Sequence, residues 1–395
     1  MSIADADNEK RGVESMRVQG WVSEQFKPVS DVFATVLPED GRGGGAVSLF
    51  VDGEPVLDLW GGVADSRTGR AWEQGTAVLV FSCAKSIVSM LLHYLAQEGQ
   101  LDLDSPVASY WPEFGCHGKE AVTVRQVLTH RAGLPVVEEV LTFEDVLAWT
   151  PVVEALEQQT PFWEPGRAHA YHGLTFGWLA GEVIRRVTGR TPGVYFRELL
   201  GDRLGIETWI GLPPEEAGRV ARLEEPVEPL PLPGPDTLFT RALTMNGVID
   251  FPGADSKYGY GSPSLLAAEL PAGNAVATAR GLAATHAAAA TGLHTGTRLL
   301  TLKTLTDAVR EQSSGPSWRD GIDLGRRFGT GFMIDSPPEW RLLSPRSFGH
   351  DGAGGSTAFG DDAYGVGFGF VTNRLGSGAD DRVDRLITAV RECLR

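Results

Sequence analysis

Residues 78–92 read VLVFSCAKSIVSMLL, an apolar run that carries Ser82 and Lys85 three positions apart. Ile87, Met90, Leu91 and Tyr94 have helical spacing, and a helix opening at Ser82 puts Lys85 one turn later on the same face, within reach of the hydroxyl. An ammonium has an ordinary pKa near ~10.4 and cannot accept a proton at neutral pH, but burial among apolar groups lowers that value by several units. A helix N-terminus at Ser82 further disfavours the ammonium and favours negative charge at the serine amide. Of the six lysines (10, 27, 85, 119, 257 and 303), Lys85 alone sits in a strongly apolar segment. The competing reading is an N-cap serine followed by a snorkelling surface lysine, so other segments must decide.

The chain has 395 residues, is 42% hydrophobic and has ten tryptophans, enough for one large domain or two interlocked ones. Its 35 basic and 51 acidic residues give a net charge of −16, which argues against a nucleic-acid groove or an anionic membrane as partner. A small uncharged or cationic ligand fits better. The first residues, MSIADAD, have neither a basic nor an apolar leader region, and no apolar run approaches the roughly 18 residues of a spanning helix. Three scattered cysteines (83, 116 and 393) give no disulfide framework and no zinc spacing. These features predict a cytoplasmic protein, and no metal or cofactor is expected. Cys83 is expected to be a small, inert, buried residue.

After a polar first fifteen residues, Ala46–Val51 and Pro55–Trp60 flank Asp52-Gly53, a hairpin signal. Short strands are predicted at 332–334, 347–350 and 364–372, and an amphipathic helix over 382–394. The middle reads as helical: 82–97, 122–129, 143–158, 174–187 and 277–290. A proline-rich tract from Pro213 to Pro235 is expected to be a loop or lid. The predicted class is α+β, with an antiparallel sheet built from N- and C-terminal strands, flanked by helices. Residues 1–80 with 325–395 would form the sheet region and 81–324 a large, mainly helical insertion, in one interlocked catalytic unit.

Two further segments carry candidate chemistry. Tyr171 lies in EPGRAHAYHG (164–173), on a loop just before a predicted helix, where neighbouring positive charge would lower its pKa and suit it to proton transfer. FGHDGAGGS (348–356) joins a strand signal to glycines that allow close backbone approach, so that one amide could face an oxyanion. No Gly-x-x-x-x-Gly-Lys or Gly-x-Gly-x-x-Gly phosphate loop is present.

These three segments, in this order, together with VTVRQVLTHRAGLP (122–135) and Trp163-Glu164-Pro165-Gly166, resemble the penicillin-recognising serine hydrolases, the family VIII carboxylesterases most of all. The resemblance runs from about Val18 to the C-terminus and implies a β-lactamase/transpeptidase-like fold. It implies that Ser82 is the acylated nucleophile, Lys85 its base and Tyr171 a second proton-transfer group. His350-Asp351-Gly352 matches the third family motif, and the amides of Ala353 and Ser82 would hold the oxyanion. Asp351, His172 and Trp163 are candidate pocket residues. The family asparagine is Gly173 here and the third-motif lysine is His350, losses that weaken a penicillin clamp. No glutamate is assignable to deacylation.

The sequence therefore predicts an esterase acting on a small-molecule ester or acyl substrate by two-step acyl transfer, its oligomeric state left open. The alternatives are an acyltransferase or amide-forming or amide-hydrolysing enzyme using the same site, a β-lactamase or D-alanyl peptidase, and a silent binding protein of the same fold. No complete Gly-x-Ser-x-Gly elbow exists, since Gly354-Gly355-Ser356-Thr357-Ala358 lacks the last glycine.

Overall fold

The computed structural model describes residues 18–226, 232–293, 296, 298–376 and 380–395. The predicted polar lead of fifteen residues and part of the proline-rich tract lie outside them. In chain order the strands are β1 (Gln19–Val22), β2 (Gly44–Val51), β3 (Glu54–Asp65), β4 (Arg70–Ala71), β5 (Val78–Leu79), β6 (Thr208–Trp209), β7 (Val276–Ala277), β8 (Arg327–Phe328), β9 (Met333–Ile334), β10 (Ser347–Asp351), β11 (Thr357–Asp361) and β12 (Val366–Thr372). The helices that matter below are α1 (Lys27–Val36), α2 (Cys83–Gln97), α3 (Thr175–Thr188), α4 (Leu238–Thr244), α5 (Ala279–Ala290) and α6 (Arg382–Cys393).

The Asp52-Gly53 hairpin forms as predicted, with Val51 opposite Glu54. The main antiparallel sheet runs β1-β3-β2-β12-β11-β10-β9-β8, and β4 pairs with β3. Its centre joins the two ends of the chain, Val47 lying beside Phe370 and Leu49 beside Phe368. Period-2 alternation sends Val47 and Leu49 to one face, where they pack with Phe33 of α1 and Leu386, Ile387 and Val390 of α6. Ala46 and Phe50 point to the other face, which α5 crosses with its row of small alanines. Both faces are thus covered, and every residue of β12 is buried.

A second sheet, β5-β7-β6, stands at the junction with the helical middle. The expected helix over 143–158 is two, Phe143–Leu147 and Thr150–Gln158, separated by Trp149 in the left-handed region (φ 67°). Pro151 lacks an N–H and its ring would press on the carbonyl of Leu147, so the helix restarts. The expected helix over 277–290 begins as strand β7, and Thr278 caps α5 by accepting from the Gly281 amide. Lys85 is not the only buried lysine. Lys119 is buried as well, its Nζ donating to the carbonyls of Glu157 (2.9 Å) and Gln159 (2.6 Å) where a helix ends.

Candidate active site

Strand β5 delivers the serine. The Val80 amide is tied to the Ala275 carbonyl (2.8 Å), Phe81 turns the chain through a left-handed conformation (φ 47°), and α2 starts at Cys83. Ser82 occupies the N-cap position with helical angles, but its hydroxyl makes no capping hydrogen bond. It faces Lys85 Nζ at 3.1 Å and Tyr171 Oη at 2.9 Å instead. Ser82 is half-buried, whereas Lys85 is fully buried and Tyr171 almost so.

Lys85 Nζ also donates to the Ala272 carbonyl (2.7 Å) and stands over the Tyr171 ring, 4.8 Å from its centre. Loss of water around the amine pushes its pKa well below the ordinary lysine value, although Asp351 opposes this. A neutral amine keeps two N–H donors and one lone pair, so it can donate to Ala272 and accept the Ser82 proton. Tyr171 departs from the sequence expectation. Burial raises its pKa instead of a positive neighbour lowering it.

β10 brings in the third segment. A Cβ at Gly352 would run into the Val80 carbonyl and lie 3.4 Å from Cys83 Sγ, so glycine lets this strand end close against the serine loop. Cys83 is buried with Sγ 3.4 Å from the His350 carbonyl and 3.6 Å from that of Ser356, and burial pushes its thiol pKa up, in keeping with an inert residue. The His350 ring is buried against Tyr171, its Nδ1 donates to the Asp351 carbonyl (2.6 Å), and burial lowers its pKa to about 4. Its Nε2 is buried and has no hydrogen-bond partner among the described residues. Asp351 pairs with Arg326 (2.9 Å), whose guanidinium stacks on Trp340.

The structure therefore gathers Ser82, Lys85, Tyr171 and the 350–353 segment. His172 and Trp163 have other company. His172 Nε2 accepts from the Leu134 amide (3.1 Å) and Nδ1 donates to the Ala170 carbonyl (2.7 Å), which leaves no ring nitrogen for a substrate. Trp163 donates to the Ala168 carbonyl (3.0 Å) and packs on Trp318. Sequence reasoning missed Ala272, Arg326 and His130. The first acts through a carbonyl that any residue carries, and the last was visible only as part of the 122–135 segment.

Gly173 carries a finding of its own. A Cβ there would sit 2.6 Å from the Ala242 carbonyl and 3.2 Å from Leu243 Cδ2, both on α4. The helix backbone fills the place of a side chain. The Leu174 amide donates to the Ala242 carbonyl (3.1 Å), and Tyr260 Oη donates to that of Leu243 (2.8 Å), fixing α4 beside Tyr171.

A half-buried serine within hydrogen-bond distance of a buried lysine and of a tyrosine lies between an antiparallel sheet and a helical region, a candidate centre for serine chemistry. Residues 22–391 match the β-lactamase family, and the chain belongs to that family. It is 36% identical over 368 residues to the esterase/β-lactamase LipL of Mycobacterium tuberculosis, covering 91% of this chain and 83% of that protein. The crystal structure of a family VIII carboxylesterase superposes with a TM-score of 0.85 at 32% identity, covering 95% of this chain and 100% of the other. EstA from Arthrobacter nitroguajacolicus Rue61a gives 0.84 at 34% identity, covering 95% and 98%. No described helix is long and apolar enough to cross a membrane.

Proposed function

We propose that the chain is a carboxylesterase working through an acyl-enzyme on Ser82. The observation that carries this reading is the pair of contacts on one hydroxyl, Lys85 Nζ at 3.1 Å and Tyr171 Oη at 2.9 Å. Neutral Lys85 takes the Ser82 proton as Oγ attacks the ester carbonyl, and the proton returns through Tyr171 to the departing alkoxide. Water then attacks the acyl-enzyme with the same groups in reverse. The amides of Ser82 and Ala353 donate to no backbone carbonyl among the described residues, which leaves them free for the oxyanion.

An ester fits better than a penicillin. α4 excludes a side-chain amide at position 173, and the neutral His350 supplies no cation for a β-lactam carboxylate. Nitrocefin turnover is therefore expected to fall well below that of p-nitrophenyl butyrate. In Ser82→Ala, hydrolysis of p-nitrophenyl butyrate should vanish while the circular dichroism spectrum is unchanged, and a fluorophosphonate should label the wild type once, on the peptide containing Ser82. A Ser82→Ala variant that still turns over ester would move the nucleophile elsewhere.

A further inference from the structure

One residue holds the amides on both sides of Tyr171. The carbonyl of His130 accepts from the Ala170 amide (3.2 Å), and His130 Nδ1 accepts from the His172 amide (3.2 Å). Between these two bonds the rings of His130 and Tyr171 lie 4.9 Å apart. His130 cannot easily recede, because Phe328 stands edge-on to it at 4.9 Å and the tilted ring of Phe176 lies 5.4 Å away. The residue adopts a left-handed backbone (φ 59°), and its carbonyl and ring both bond the same loop.

An Nδ1 that accepts carries its proton on Nε2. Burial keeps the ring well below the ordinary histidine pKa, so Nδ1 stays an acceptor.

We propose that His130 is a positioning residue for Tyr171, gripping the amides on either side of it so that Oη stays on Ser82 Oγ. This rests on the esterase reading, which the Ser82→Ala variant tests separately: loss of hydrolysis there, with His130 variants unaffected, would sink only the present inference.

Kinetics with p-nitrophenyl butyrate decide it. His130→Ala should lower kcat about 100-fold, the scale of a lost proton-transfer group, with KM changed less than about twofold. His130→Asn should recover most of kcat, because its Oδ1 can replace Nδ1 and asparagine tolerates the left-handed backbone. In a Tyr171→Phe background, His130→Ala should add no further loss, as expected when one residue acts through the other. Should the alanine variant not fold, His130→Gln, whose acceptor lies one methylene further out, takes its place with the same expected loss. A folded variant with wild-type kcat, an asparagine variant no better than alanine, or losses that add in the double variant would each overturn the proposal.

Discussion

At the scale of single residues, the proposed mechanism turns on the charge of Lys85. Its pKa is pushed well below the ordinary lysine value, so activity should be lost on the acid side as the amine takes up a proton, while the upward shift of Tyr171 should keep tyrosine ionisation from cutting the alkaline side. A kcat/KM profile from pH 5 to 10 checks both limbs. Activity that climbs only near pH 10 would mean an ordinary lysine. Lys85→Met, which keeps the volume but not the base, should cost about 10³ in kcat/KM. This pair was legible in the sequence because three residues of helix join serine to lysine, a local relation that spacing records. The Ala272 carbonyl was not legible, since it arrives from 187 residues away and carries no side-chain signature.

At the scale of elements, α4 fills the space beside Gly173. Restoring the family asparagine at position 173 would drive a side chain into the Ala242 carbonyl, 2.6 Å from the new Cβ. Gly173→Asn is therefore expected to destabilise the protein by about 1–3 kcal/mol, as overpacking does, without creating nitrocefin turnover. Urea unfolding and a β-lactam assay measure the two halves, and a stable variant that hydrolyses nitrocefin would refute the account. The sequence marked the glycine as a lost amide but not as a space already filled. Its cause lies in a seven-residue helix too short to show periodicity. The break between 147 and 150 escaped for a related reason: apolar spacing runs on through 143–158, and only the ring of Pro151 interrupts the backbone.

At the scale of the whole molecule, burial makes stability depend on pH. His93, His172, His286 and His350 are each lowered from 6.5 to about 4 by burial. Their folded pKa lies below the unfolded one, so between these values the unfolded chain holds protons that the folded chain refuses, and stability falls as pH drops from about 6.5 toward 4. Urea midpoints at pH 7 and pH 5 should differ in that direction, with extra protons taken up on unfolding at pH 5. Equal midpoints would show that these rings are hydrated. The sheet itself was readable at both ends, through Asp52-Gly53 and the strand signal over 364–372, although no local pattern says that β2 and β12 are neighbours. Their pairing sets an order on biosynthesis: β2 leaves the ribosome early and waits, one edge unsatisfied, until Thr372 has been translated. An unfinished chain therefore exposes a strand edge open to pairing with other chains.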